Sequence, residues 1–345
     1  MNLFHITFPR DPRGSRVSFQ GASPELIEGF GCGFVFSPFG THAPIFTIPF
    51  GNGDYTDREL IDWCAGNDRI LNSTISSDTR REEHLQLVGK AVEFARETEN
   101  VTGNPAKVIA ARVKAAPSSK SLPDLYRSLA DAYPDACVFL FSSPISGTWI
   151  GASPELLCHL QKEDNGWMTE TVALAGTRPA GSLQDWDDKN IREQRMVADF
   201  ILSCLQESGL RVTEGQTVTR RAGNIEHIMT PISAIYESTD RTIDEIAVPL
   251  LRTLSPTPAL CGHPREKALD FILSNEGRPR DFYGGYLGIV SPDTADIYVN
   301  LRSGRALPEG EGILLYAGGG ITRDSIPEAE WMETERKLST IMTHL

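Results

Sequence analysis

Most of the signals that announce a function at sight are missing from this chain. No apolar run approaches the roughly 18 residues that a membrane span needs, so no membrane partner is expected. The opening MNLFHITFPRDPRG has no basic segment leading into a long apolar one. It does not read as a signal peptide, and the expected compartment is the cytoplasm. Six cysteines are scattered at positions 32, 64, 137, 158, 204 and 261, none in a C-x-x-C pair. A chain of 345 residues buries a core without staples, so reduced thiols are expected. Positive charge is scarce: 33 Lys and Arg stand against 46 Asp and Glu, a net charge of −13 with His neutral. That excludes the basic stripe of a nucleic-acid binder. The seven histidines form neither H-E-x-x-H nor a Cys/His zinc pattern. There is no G-x-x-x-x-G-K-[ST] loop, no G-x-S-x-G elbow and no paired Cys/His nucleophile signature. Low-complexity tracts and long linkers are also absent.

What is present looks like an ordinary globular unit. Hydrophobic residues make up 40% and charged residues 23%. Residues 1–75 read as short strands and turns, with aromatic and β-branched runs broken by Gly and Pro. Residues 79–98 read as a helix, since Leu85, Val88, Val92 and Ala95 recur at helical spacing. AKVIAARV (106–113) reads as a buried strand, 121–132 as a short helix and 136–143 as another strand. TWIGASPELLCHL and MTETVALAGT read as strands around a turn. DDKNIREQRMVADFILSCLQESG is a long helix with Val197, Phe200, Ile201 and Leu205 as its stripe, ended by Gly209. Helices are expected at 243–254 and 265–274, and strands at 283–290 and 296–303. GILLYAGGGIT is a buried strand running into a glycine turn. The last helix carries an S-x-x-E capping box at Ser325 and Glu328, with Pro327 in its first turn. Strands and helices without strict alternation favour an α+β fold. The hexamer GASPEL occurs at 21–26 and again at 151–156 with unmatched flanks, and reads as coincidence rather than a repeat.

Several residues could carry chemistry. Glu330, Glu333 and Lys337 lie three and four apart on one side of the last helix. They are either a solvated face with a Glu–Lys pair or hard oxygen ligands for Mg²⁺ with a lysine beside them. Lys189 and Glu193 repeat the four-residue spacing and alone suggest surface decoration. Two such helices could nevertheless gather carboxylates around one cation, and an acidic protein needs a local cation or metal to hold an anion. Backbone N–H groups at Gly318, Gly319 and Gly320 could approach an anion; a plain tight turn is the simpler account. By strand alternation Arg302 shares a polar face with Tyr298 and Asn300, where a guanidinium could grip a carboxylate. Lys107, in an otherwise apolar strand, could act as a base if buried. Glu155 could protonate a leaving oxygen, with Glu25 of the first hexamer as its rival. His227, in NIEHIMTPI, is a core histidine or a site residue.

Taken together, AKVIAARV, IGASPELL, ALAGTRPAG, DKNIREQ, NIEHIMTPI, LSPTPALCG, RDFYGGYLG, IYVNLRSG and AGGGITRDSIPEAEWMETERKL resemble the chorismate-utilising enzymes. That family includes isochorismate and salicylate synthases and the large subunits of anthranilate and aminodeoxychorismate synthases. The pieces run in family order from about residue 83 to 342, the chorismate-binding catalytic region, after a divergent strand-rich part over 1–80. The whole of 1–345 is expected to be a single unit. The resemblance implies large antiparallel sheets packed together with helices outside and a site in the cleft between them. It also implies Mg²⁺ as cofactor, chorismate as substrate and a monomer.

Residue by residue, it implies Glu193 and Glu333 as principal metal ligands with Glu330 in support. Arg302, Tyr283, Lys337 and the Gly318–Gly320 segment fall where the family holds the substrate carboxylates. Thr177, of the ALAGTRPAG piece, and His227 belong to the same substrate-binding set. Lys107 matches the water-activating lysine of isochorismate and salicylate synthases, where anthranilate synthases usually carry Gln. Ala175 stands where aminodeoxychorismate synthases place a nucleophilic lysine, and Ala259 of PTPA also fits the water-using branch. Asn190 and Gln194 replace an acidic residue and a His of the family's K-D-x-x-E-H stretch. Cys261–Gly262 replaces a glycine pair, and TRPAG lacks a second arginine. The implied activity is isochorismate synthesis, an isomerisation of chorismate with Lys107 as base and Glu155 as acid. Salicylate synthesis is the nearest alternative, an ammonia-using synthase or an inactive chorismate-binding paralogue the remoter ones. Isochorismate feeds menaquinone, siderophores and salicylate. The lack of a fused carrier or lyase domain favours menaquinone.

Overall fold

A computed structural model describes residues 1–11, 14–51, 55–71, 78–222 and 225–345. In chain order its elements begin with strands β1 (Asn2–Thr7), β2 (Ser18–Ser23), β3 (Ile27–Glu28), β4 (Gly33–Ser37) and β5 (Phe46–Pro49). Helices α1 (Asp57–Leu71) and α2 (Arg81–Thr102) follow, then β6 (Lys107–Ala116), α3 (Leu122–Ala132), β7 (Cys137–Ser143) and β8 (Gly147–Ser153). Next come β9 (Leu156–Glu163), β10 (Gly166–Pro179), α4 (Asp188–Glu207), β11 (Arg211–Glu214), β12 (Val218–Ala222) and β13 (Ile225–Tyr236). The chain continues through α5 (Ile243–Leu254), β14 (Gly262–His263), α6 (Arg265–Asn275), β15 (Tyr286–Val290) and β16 (Thr294–Val299). It closes with β17 (Ser303–Ala306), β18 (Ile313–Ile321) and α7 (Pro327–Met342).

The strands build two antiparallel sheets. One has eight strands in the order β14-β6-β18-β17-β8-β7-β1-β2. The other has ten, β11-β13-β10-β9-β16-β15-β4-β5-β3, with β12 on β13. Their inner faces meet through aromatic side chains contributed by both. Phe4 of the first sheet stacks on Phe34 of the second at 5.1 Å, and Phe141 meets Phe36 at 4.9 Å. All four rings are fully buried, each stabilising the fold by about 1.5–3 kcal/mol. Helices α1, α3 and α7 cover the outer face of the eight-stranded sheet, and α2 and α6 cover β6. Helix α4 lies on β10 and β13. This is the expected α+β arrangement of packed antiparallel sheets with helices outside. Among the described residues no helix is long and apolar enough to cross a membrane, and all six cysteines are free.

The strand-and-turn reading of residues 1–75 holds for β1–β5 and fails at α1. Residues 12, 13, 52–54 and 72–75 of that stretch, and Asn224 of NIEHIMTPI, lie outside the described residues. The inward face of α1 carries Asn67 and Asp68 beside Leu60 and Cys64, all buried. Asn67 donates to the Met1 carbonyl and to Ser142 Oγ, and Asp68 accepts from the Thr148 N–H. A polar residue on the buried face erases the apolar period that marks a helix. The capping box is also absent. Helix α7 starts at Pro327 behind Ile326, and Ser325 Oγ instead accepts from the Thr322 N–H at 3.1 Å. Nor do Gly318–Gly320 turn: they lie within β18, paired to Ala111, Ala110 and Ile109 of β6. The strand expected at 283–290 begins at Tyr286, which leaves Tyr283 in the preceding turn.

Candidate active site

The site opens where strands change sheets. Strand β8 belongs to the eight-stranded sheet and β9 to the ten-stranded one, and Glu155 sits on the two-residue link between them. Strands β16 and β17 cross in the opposite direction through Asn300, Leu301 and Arg302. Strand geometry therefore ends before Arg302, and alternation does not place its side chain. Arg302 has φ +49°, a left-handed conformation uncommon for a side-chain-bearing residue. Its guanidinium donates to Thr340 Oγ1 of α7 at 3.2 Å. The two hexamers part company here. Glu25 is exposed, whereas Glu155 is 5% exposed, which selects Glu155 of the two rivals for the cleft.

Lys107 is the first residue of β6 and only 1% exposed. Its Nζ meets Glu193 Oε1 at 2.5 Å. Glu193 comes from the second turn of α4, whose start is fixed by the Asp187 side chain accepting from the Asn190 N–H at 2.8 Å. One turn earlier, Lys189 does not decorate the surface: its Nζ donates to Glu330 Oε1 of α7 at 2.8 Å. On α7 itself Lys337 pairs with Glu333 at 2.7 Å and donates to the Gly318 carbonyl at 2.8 Å. Burial alone would lower the Lys189 pKa. Glu330, which Lys189 bonds directly, and the more distant charges of Glu193 and Glu333 outweigh it and raise that pKa instead.

These groups border a cavity of about 190 Å³. Lys107, Glu155, Glu193, Glu333, Arg302 and Lys337 line it with Tyr283, His227, Thr177, Ala259, Gly318 and Gly320. Two candidates do not. Gly319 faces the opposite side of its strand, toward α7, and Glu330 sits behind the wall. Period-two alternation brings Tyr316 into the same lining as Gly318 and Gly320, and its ring stacks on Tyr283 at 5.4 Å. Reading the sequence missed Tyr316 and took Lys189 for surface decoration. Alternation along β18 marks the first, whereas the second is recognised only through its bond to Glu330, 141 residues away.

The site separates its ionisable groups. Burial pushes the Glu155 carboxyl up to about 8, against the opposing pull of Lys107, Arg302 and Lys337. Burial alone would also raise Glu333, but Lys337 and Lys189 bring it down to about 2. His227 is lowered to about 3 by burial and by Arg302, so its imidazole is neutral. Nδ1 of His227 lies 2.8 Å from the Gly176 carbonyl, an acceptor only, which fixes the ring proton on Nδ1. Nε2 is then a bare acceptor, buried and without a partner. One neutral acid, one ionised carboxylate and a neutral acceptor share a single cavity.

Among the described residues no three His, Cys, Asp or Glu side chains stand close enough to hold an ion as they are placed. Each of Glu193, Glu330 and Glu333 is held by a lysine. The donor set nevertheless fits Mg²⁺. It consists of hard oxygens, Glu330 Oε2 is buried with no partner, and Mg²⁺ takes one or two carboxylates while keeping waters.

The sequence profile described as chorismate binding enzyme matches residues 65–345. The chain belongs to the chorismate binding enzyme family. It is 34% identical over 207 residues to isochorismate synthase MenF of Escherichia coli, covering 57% of this chain and 45% of that one. It is 30% identical over 279 residues to anthranilate synthase component 1 of Aeropyrum pernix, covering 76% of this chain and 60% of that one. The chain thus spans about half the length of the curated relatives it matches. The solved structure of MenF, the menaquinone-specific isochorismate synthase of Escherichia coli, shares the fold. Its TM-score is 0.73 at 21% identity, with 100% of this chain and 89% of that one covered.

Two polar residues of the DKNIREQ stretch have defined partners. Asn190 Oδ1 accepts from the Thr177 N–H at 3.1 Å, and its Nδ2 donates to Asp187. Gln194 is buried and donates to Thr230 Oγ1 at 2.6 Å. Both side chains tie α4 to the strands beneath it.

Proposed function

We propose that this chorismate binding enzyme is an isochorismate synthase. The observation that carries the reading is that a buried amine, Lys107, and a buried carboxylic acid, Glu155, open on one cavity. Lys107, once it has given up its own proton, takes one from water, and the water oxygen bonds to C2 of the chorismate ring. The ring double bonds shift, the C4–O bond breaks, and Glu155 gives its proton to the departing hydroxyl. One water enters and one leaves, so the reaction is an isomerisation. The raised pKa of Glu155 supports its role, since an acid must still hold its proton near neutral pH.

Arg302 and Lys337 supply positive charge for the two substrate carboxylates, with Tyr283 and the Gly318–Gly320 strand beside them. Thr177, Ala259 and His227 complete the wall. Glu193 and Glu333 would hold Mg²⁺ with Glu330 in support, and the bound ion would supply positive charge to the substrate's ring carboxylate. Ala175 and Lys107 favour water over ammonia as the nucleophile. Use of the product in menaquinone synthesis is part of the proposal, supported by the name of the MenF relative.

Incubation with chorismate and Mg²⁺, followed by chromatographic separation, should yield isochorismate. Its absence under conditions where an established isochorismate synthase turns over would overturn the reading. Pyruvate release, followed with a coupled dehydrogenase, would mark salicylate synthesis instead.

A further inference from the structure

Three consecutive glycines inside a strand weaken it, because Gly has the most backbone freedom to lose and no side chain to pack; here they pair with β6 alone, since β17 reaches only Ile313–Leu315. The backbone of β18 gives no reason for them. None of Gly318, Gly319 and Gly320 has a left-handed φ, so alanine could adopt each conformation. The reason must lie in what covers them.

A Cβ on Gly319 would come 3.3 Å from Glu330 Oε2, and one on Gly318 would come 2.7 Å from Ile109 Cγ2. Gly320 is the most crowded on the cavity side. Its Cβ would lie 2.3 Å from Glu193 Oε1, 2.6 Å from Lys107 Cε and 3.1 Å from Lys107 Nζ. The obstacle is therefore the ion pair itself. Lys107 reaches in from the start of β6 and Glu193 comes down from α4, and their heads meet over Gly320. Both obstructing groups are the ends of long side chains. An added methyl would therefore displace them rather than break the strand.

We propose that Gly320 is a positioning residue whose missing side chain leaves the space in which the Lys107 amine and the Glu193 carboxylate meet. For its catalytic consequence this rests on the reading of Lys107 as the base. A displacement of about 1 Å at a reacting group costs on the order of 100-fold in rate.

Two measurements test it. In Gly320→Ala, kcat for isochorismate formation should fall by on the order of 100-fold while KM for chorismate changes by less than about threefold. Circular dichroism should be native-like. A kcat within about threefold of the parent would overturn the proposal.

The second measurement needs no turnover, so it stands even if the protein makes no isochorismate. Gly320→Ala is introduced into the parent and into a Lys107→Ala/Glu193→Ala background, and thermal unfolding is recorded for all four proteins. With the pair removed, the methyl fills vacated space and Tm should rise. With the pair present, Tm should stay level or fall, a difference of about 3 °C or more between backgrounds. Lys107→Ala alone, which removes two of the three close atoms, should give the same sign if the double background fails to fold. Equal shifts in both backgrounds would overturn the proposal.

Discussion

Glu155 and Arg302 stand on adjacent crossings between the two sheets. The Val299 N–H donates to the Glu155 carbonyl at 3.0 Å, and the Ala152 N–H donates to the Arg302 carbonyl at 3.1 Å. Each crossing is thus pinned by the strand beside the other. Strands β8 and β17 pair on one side of the crossings, and β9 and β16 pair on the other. Where the two pairs diverge the sheets part, and the cavity opens with the acid and the guanidinium fixed at its edge.

That placement sets a pH dependence. Glu155 holds its proton below about 8 and loses it above. The acid form is the active one, so kcat/KM should stay level with respect to this group below that value. Above it, kcat/KM should fall tenfold per pH unit. Initial rates of isochorismate formation from about pH 6 to about pH 10 would trace this limb. Glu155→Gln keeps the shape and removes the acid, and should lose at least about 100-fold in kcat with unchanged circular dichroism.

The sequence made part of this arrangement legible. Buried strands, amphipathic helices and the ordered family segments lead to packed antiparallel sheets and to a set of candidates, most of which meet at one cavity. What stayed hidden depends on contacts between distant segments. Helix α1 presents Asn67 and Asp68 inward because Ser142 and Thr148, some 75–80 residues away, satisfy them. The glycines of β18 read as a turn because local propensity cannot register pairing to β6 or the Lys107–Glu193 pair lying over them. Arg302 could not be placed by alternation, since the change of sheet after Val299 is a tertiary event. Lys189 looked like surface decoration because its partner, Glu330, is 141 residues away.

Removing the amine of Lys107 should abolish turnover and also leave Glu193 without its cation. Glu193 is 13% exposed and can turn partly toward water. The stability cost should therefore stay near the lower end of what a broken buried pair shows, about 3 kcal/mol. Lys107→Ala should give no isochorismate above background by chromatography while urea unfolding remains cooperative. Retained turnover would remove Lys107 from the role of base.

Metal dependence follows from the carboxylates of α4 and α7. Exhaustive chelation should bring isochorismate formation to background, and added Mg²⁺ should restore it. Since a ligand that binds only the folded state stabilises it, Mg²⁺ at about 100 times its Kd should add about 2.7 kcal/mol. That gain should be visible as a rise in Tm, and it should be lost in Glu193→Gln and Glu333→Gln. Glu330→Gln should weaken it less, because Glu330 lies behind the cavity wall and keeps Lys189 as a neighbour. Full activity after chelation would contradict these assignments.

His227 offers the last test, because its chemistry is fixed by a backbone carbonyl. With the proton on Nδ1 held toward Gly176, Nε2 can only accept a hydrogen bond, and it has no protein donor. A bound molecule that donates to it would recover the cost of burying that nitrogen, about 1–3 kcal/mol. His227→Phe keeps a ring in place and removes the acceptor, so it should weaken chorismate binding by about tenfold, equivalent to about 1.4 kcal/mol. The effect on kcat should be smaller. Calorimetric titration with chorismate measures the first and steady-state kinetics the second. Since burial and Arg302 hold the imidazole at about 3, its NMR resonances should not shift between about pH 5 and about pH 8. Unchanged affinity in His227→Phe would show that the ring accepts nothing from the substrate, and a His227 signal titrating in that range would overturn the neutral imidazole.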